Sequence, residues 1–358
     1  MSTHMRQVGF GAAFLAVAIL VVALAASDAG REAVYLLSKP TNWQVGFAIV
    51  PHAPSDPYWW TLGVGALNSI VLAAICLVTS SAIGCAVAVL RLSANPLWAG
   101  YAAAYVQLFR NVPLILQALF WFALISHLPA PRRAIEIGGV AFLSNRGIFI
   151  PVPTGLGWLM LAAAFVAAIF CVLQWRRRSI ALAAVGALGL AIIAGLAVER
   201  MSALVSMPVL RGFNFQGGLR IQSELLAIAL GISLFGGAYI AEIVRGGFLT
   251  VPRGVLEAAQ SFGLSPWAIF VKVRAPLALR SVILPLGSQY TTILKLTALG
   301  LAVGYADLFS VTILAINHSG QTIPLILIMT ACFAGLNLLI VAVMNLANRR
   351  LAIPGYQV

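Results

Sequence analysis

Charge is what this sequence has least of. Of its 358 residues only 9% are Asp, Glu, Lys or Arg, and Asp and Glu together number 9. Soluble domains carry about 25% charged residues, so an ordinary water-facing surface is excluded. Cysteine is scarce as well. The 4 cysteines, Cys76, Cys85, Cys171 and Cys332, sit inside apolar runs at spacings that suit neither a disulfide framework nor a metal site, and they read as small packing residues. The 4 histidines, His4, His52, His127 and His318, are scattered over termini and loops, again without metal spacing. No Ser/His/Asp or paired-carboxylate pattern gathers at one membrane depth, so an intramembrane enzyme lacks a nucleophile–base pair. No G-x-x-x-x-G-K-[ST] phosphate loop occurs anywhere.

Long apolar runs fill the place of charge. The chain is 61% hydrophobic, with a mean hydropathy of +1.00. About 20 such residues cross a hydrocarbon core of about 30 Å. Continuous apolar blocks, rather than alternating ten-residue segments, point to an all-α polytopic membrane protein and away from a β-barrel. About eight spans are expected, near 9–26, 60–90, 102–126, 155–174, 180–197, 223–243, 281–306 and 322–345.

The net charge of +13 forms no basic stripe interleaved with aromatics, so it does not suggest nucleic acid. It serves orientation instead. With the N-terminus inside, the inner segments carry Lys and Arg against only Glu242 and Glu257. The outer segments mix their cations with Asp28, Glu32, Asp56, Glu136, Glu199, Glu224 and Asp307. That asymmetry places both termini in the cytoplasm. The first apolar run also resembles a signal peptide, with Arg6 ahead of it and "ALAAS" behind. It is long enough to span, and the orientation works if it is retained. There is no internal repeat. The outer loops, 27–59, 127–154 and 198–222, are too short for separate domains. Residues 1–59 read as an N-terminal helix and periplasmic segment, and 60–350 as the transmembrane domain, with a cytoplasmic loop at 244–280 inside it.

That loop holds "VPRGVLEAAQSFGLSPWAIFVKVRAP" (251–276), too charged to cross a bilayer yet well furnished with helix signals. Pro252 suits a first turn, where its missing N–H is no loss. Gly263 suits the left-handed residue after a helix end. Ser265 and Pro266 read as an N-cap followed by proline, opening a second helix that Pro276 ends or kinks. Two short helices joined by a glycine turn are expected. The small residues around Glu257, with Leu256, Phe262 and Leu264 as apolar knobs, suit docking into a partner's groove. They equally suit a helix lying at the lipid headgroups, drawn there by Arg253, Lys272 and Arg274.

The stretch "EAAQSFGLSPWAIFVKVRAP" resembles the EAA loop of binding-protein-dependent ABC-transporter permeases. Glu257, Ala258, Ala259, Gly263 and Pro276 match its pattern, while Ala275 replaces the usual Leu. "YVQLFRNVPLILQALFWF" (105–122), with Arg110, Pro113 and Leu114, and "AYIAEIVRGGFLTVPRG" (238–254) are similar to the amino-acid permeases. "NFQGGLRI" and "AVGYADLFSV" resemble the subgroup that handles polar L-amino acids broadly. The similarity runs from the second span to the C-terminus. It implies a type I importer permease in the bacterial inner membrane that hydrolyses nothing itself. Glu257, Ala258, Ala259, Gly263 and Leu264 would form the coupling contact with a cytoplasmic ATPase subunit. This chain would bind no cofactor, ATP and Mg being used by that partner. A periplasmic binding protein would deliver the amino acid, and a second, different permease chain would complete the pathway.

Ionisable groups inside spans are functional candidates, because burying them in lipid is costly. Lys295 could line the pathway, snorkel or pair with an acid; "LKLTALG" departs from the polar residues that resembling proteins carry there. Glu242 and Arg245, three residues apart on one helix face, read as a local ion pair. Arg110 could anchor at the interface, fix the elbow before Pro113 or line the pathway. Gln117 and Gln289 could offer hydrogen bonds to a solute or serve as packing glue. A reading from another class is a secondary transporter or channel working without ATP. It would be expected to show matching repeats and broken helices in two halves.

Overall fold

The computed structural model describes residues 34–160, 189 and 204–350. The chain divides into two compact units, Met1–Trp121 with Ala227–Val358, and Phe122–Leu226. The expected span at 9–26 and most of those at 155–174 and 180–197 lie outside the described residues.

Most of the described part of the first unit is helical. In chain order come α1 (Tyr58–Arg91), α2 (Pro96–Asn111), α3 (Leu114–Ser126), α4 (Ser223–Leu249), α5 (Arg253–Ser261), α6 (Pro266–Ile269), α7 (Ala275–Leu296), α8 (Leu308–Ser319) and α9 (Thr322–Arg350). α1, α4 and α9 are each long and apolar enough to cross a membrane. α1 has 34 residues and so rises about 51 Å, well beyond a core of about 30 Å.

Two expected spans are broken. The segment at 102–126 is two helices bent by 102°, because Pro113 cannot donate to the carbonyl ladder and disfavours a helical Val112. Val112 is accordingly extended, with φ −84° and ψ 127°. The segment at 281–306 runs through α7 into a 3-10 turn, Thr297–Val303, and stops at Gly304 with φ +82°. A new helix, α8, then begins where an outer loop was expected. Asp307 caps it, accepting from Phe309 N at 3.2 Å and Ser310 N at 2.9 Å. Among the described residues there are thus three single-helix spans, or five if each bent pair counts as one.

Polar side chains lock the helices together. The fully buried Asn68 donates to Phe47 O at 2.9 Å and Ala306 O at 2.7 Å. Tyr305 Oη donates to Asn68 O at 3.0 Å, and Leu308 N donates to Ser69 Oγ at 2.9 Å. Around them lies an apolar core that includes Leu36, Trp43, Tyr58, Leu62, Leu308 and Leu325. α1 meets α4 through Thr79 and Ser233, whose hydroxyls are 2.6 Å apart, and α2 meets α4 where Tyr105 Oη donates to Leu234 O at 2.7 Å. Apolar packing alone gives little drive in lipid, so such bonds and close approaches carry helix association.

The second unit contains strands that the sequence reading did not anticipate. β1 (Ile135–Ile137), β2 (Ala141–Ser144), β3 (Gly147–Ile150), β4 (Val152–Pro153), β5 (Val205–Ser206), β6 (Val209–Arg211), β7 (Asn214–Gln216) and β8 (Leu219–Gln222) form a four-stranded sheet, β1-β2-β3-β8, and two two-stranded pairs, β4-β5 and β6-β7. All pairings are antiparallel, with Phe142 opposite Phe149 and Phe149 opposite Arg220. Phe215 packs on both Phe142 and Phe149, with ring centroids 4.6 and 4.8 Å away. Strands of two to four residues are too short to show a period of two in sequence.

Candidate functional site

The segment between α4 and α7 is held at both ends. A Cβ built on Gly247 would lie 2.1 Å from Val282 Cγ1 and 3.0 Å from Ala278 O, so the end of α4 lies hard against the start of α7. Thr250 Oγ1 is 2.8 Å from Gly247 O and 3.2 Å from Ser281 Oγ, tying the exit of α4 to the same place. Past it, Pro252 is extended with φ −62° and ψ 137°, and α5 begins at Arg253.

α5 ends in a Schellman turn. Gly263 N donates to Gln260 O at 2.9 Å and Leu264 N to Ala259 O at 3.4 Å, with Gly263 at φ +72°. The turn satisfies the last carbonyls and draws Leu264 back towards Ala259. Ser265 then caps α6, accepting from Ala268 N at 3.3 Å. α6 does not stop at Pro276. It passes into a π-helical turn, Phe270–Arg274, and on into α7. The widened turn absorbs the hydrogen bond that Pro276 cannot make.

A ladder of rings braces this elbow. Trp267 stacks on Phe270 at 5.7 Å, Phe270 on Phe248 at 5.8 Å and only 2° from parallel, and the Arg274 guanidinium lies 5.6 Å over Phe248. Phe248 belongs to α4, so the stack ties the short helices to a span. None of these three ring partners was singled out from sequence. The signal available was four large or cationic side chains spaced across a turn, which local periodicity does not score.

The five residues expected to form the coupling contact are brought together but face different ways. Glu257, Ala258 and Gly263 are exposed, whereas Ala259 is 6% exposed and Leu264 half-buried. The two inward residues close the turn. Of the three outward ones Ala258 and Gly263 are small and Glu257 is charged, and the neighbouring Phe262 is 85% exposed and Trp267 73% exposed.

A second polar cluster lies where α1, α2 and α4 meet. Glu242 accepts from Arg245 at 2.9 and 3.1 Å on one oxygen and from Arg91 on the other. The Arg245 pair has the spacing expected on one helix face. Arg91 enters from 151 residues away, which no local pattern reveals. Beside this group is an open cleft of about 310 Å³ lined by Arg91, Val106, Gln107, Arg110, Asn111 and Glu242. Arg110 lies 4.9 Å over the Tyr239 ring.

The remaining polar candidates are dispersed. Gln117 is buried and donates to Phe109 O at 3.0 Å and Val112 O at 2.8 Å, closing the break between α2 and α3. Gln289 is buried on α7, its Nε2 without a partner among the described residues. Lys295 is exposed in the last turn of α7 and has no ion pair among the described residues. No group of three or more His, Cys, Asp or Glu among the described residues could hold a metal ion.

Comparison with known proteins gives concordant results. The family of binding-protein-dependent transport system inner membrane components matches residues 80–353. The chain is 39% identical to YhdX of Escherichia coli K12, named as an amino-acid ABC transporter permease, over 86% of this chain and 83% of that one. It is 33% identical to AapQ of Rhizobium johnstonii, a general L-amino acid transport system permease, over 87% and 82%. In fold it is similar to a chain of the MetNI methionine ABC transporter in an inward-facing conformation. That likeness has a TM-score of 0.51 and 17% identity, and covers 84% of this chain and 100% of that one.

Proposed function

Because the chain belongs to the binding-protein-dependent transport system inner membrane component family, we propose that it is the membrane-spanning, non-catalytic subunit of an ABC importer carrying L-amino acids. The cargo class is polar and broad, in keeping with the general L-amino acid permease it resembles over most of its length. It sits in the inner membrane with both termini cytoplasmic. A periplasmic binding protein supplies the amino acid, and a second, different permease chain completes the path. ATP and Mg belong to a separate ATPase subunit.

The observation that carries this reading is the exposed edge of Ala258 and Gly263, with Glu257 beside it and two exposed aromatic rings, Phe262 and Trp267, nearby in sequence. Small residues let a partner's backbone come close, and Phe262 and Trp267 supply apolar anchors of the kind that dominate interfaces. Ala259 and Leu264 act from behind, fixing the turn. Force applied to the edge passes through the ring ladder into α4 and through the continuous π turn into α7. Movement of two spans against the rest is what rigid-body alternation needs. Lys295 and Arg110, both exposed on this chain, are available to the solute. Gln289 is a candidate for the same path, and Gln117 would act through the α2–α3 elbow.

The test is co-purification of the ATPase subunit with Ala258→Arg, alongside ATP-driven amino-acid uptake into membrane vesicles. An unpaired charge buried at the contact should weaken association by about thirtyfold or more and abolish uptake, while insertion of the permease is unchanged. Full association and uptake in the variant would refute the reading.

A further inference from the structure

The cleft between α1, α2 and α4 has a charge arrangement that the coupling function does not use. Glu242 is shared by Arg91 and Arg245, so this cluster already carries one excess positive charge. Arg110 adds another. It has no ion-pair partner among the described residues, and its guanidinium carbon lies 4.9 Å over the Tyr239 ring. A cation–π contact consumes no acceptor of its own, so the N–H donors of the fork stay available. Gln107, Arg110 and Asn111 stand at i, i+3 and i+4 on α2, hence on one helix face, and all three line the cleft and are exposed.

A planar cation beside two amides, in a cleft of about 310 Å³ whose cations outnumber its one carboxylate, is complementary to a carboxylate. We propose that this cleft is a binding site for a free α-amino acid. Arg110 takes the α-carboxylate through its bidentate fork. The ammonium group points away from this cluster, whose one carboxylate is already shared by Arg91 and Arg245, towards the open side of the cleft. Gln107 and Asn111 meet a polar side chain. This assignment rests on the amino-acid cargo proposed above. It adds a station at the end of α1 that carries Arg91, the side assigned to the cytoplasm, where the amino acid is released.

The experiment uses the whole complex, permeases with ATPase and without binding protein, in nanodiscs of phosphatidylcholine with and without phosphatidylglycerol. Equilibrium binding of radiolabelled L-glutamine and L-glutamate is measured for the native chain and for Arg110→Gln, Arg110→Lys and Arg349→Gln. Saturable binding is expected for the native chain and unchanged for Arg349→Gln. Arg110→Gln should weaken it by about ten- to a hundredfold, the worth of a charge-assisted hydrogen bond. Arg110→Lys should fall between, since it keeps the charge and loses the fork. Ethanolamine, lacking the carboxylate, should not compete.

Binding unaltered in Arg110→Gln overturns the site, as does occupancy by anionic phospholipid with no competition from amino acid. Absence of saturable binding in a native complex that still performs ATP-driven uptake also overturns it. If the native complex shows no ATP-driven uptake once binding protein is supplied, the importer reading itself fails. The two failures are therefore distinct.

Discussion

Replacing Gly263 separates two roles that a single residue at this turn can have. Its φ of +72° costs an L-residue such as alanine about 1–2 kcal/mol. A Cβ there would meet nothing within 4 Å in this chain, so the whole intramolecular cost of Gly263→Ala is torsional. If docking needs the Schellman turn, the docking-competent fraction drops, and the apparent Kd for the ATPase subunit rises by about 5–30-fold. Gly263→Asn changes the balance. Asparagine visits the left-handed region more readily, so its torsional cost is smaller, but it places a larger side chain on the exposed edge. A residue that is both turn and contact should make Asn at least as damaging as Ala. Titration of purified ATPase subunit against the detergent-solubilised permease, read by size-exclusion or anisotropy, gives the three constants. Near-native affinity for Gly263→Asn beside an impaired Gly263→Ala would show that the position acts through the turn alone, and would remove it from the contact.

Two further outcomes test how the spans are packed. Gly247→Ala would place a Cβ 2.1 Å from Val282 Cγ1, an overlap expected to cost about 1–3 kcal/mol. The thermal midpoint in detergent should fall and partly recover in Gly247→Ala with Val282→Ala; an unshifted midpoint would mean that α4 and α7 do not cross there. Asn68→Leu would leave the Phe47 and Ala306 carbonyls without their donor, at about 1–3 kcal/mol in total. Limited proteolysis should then cut faster in 40–57, and an unchanged cleavage rate would refute the bond as the anchor of that segment.

Some of this protein was written in short-range signals. An apolar run of twenty residues needs no partner to declare itself, because each helix satisfies its own backbone in lipid. The elbow was equally legible: Pro252, Gly263, Ser265 and Pro266 specify caps and a turn within a few residues of one another, and the helices form between those marks. The 102° break after Asn111 was only half legible. Pro113 announces an interruption, but the angle depends on Gln117 closing the exposed carbonyls and on what the two halves pack against.

What the sequence settled alone was class and local grammar: helices in a membrane, and a capped charged elbow between two of them. Tertiary structure decided direction and company. It turned Ala258 outward and its neighbour Ala259 inward, because the Schellman turn pulls one face of α5 onto Leu264. It brought Arg91 to Glu242, stacked Phe248 on Phe270, and gathered Phe142, Phe149 and Phe215 from separate strands. Each of these pairings joins residues far apart along the chain or across a turn. Their energy depends on distances set by the packing of whole elements, and no window of neighbouring residues contains that information.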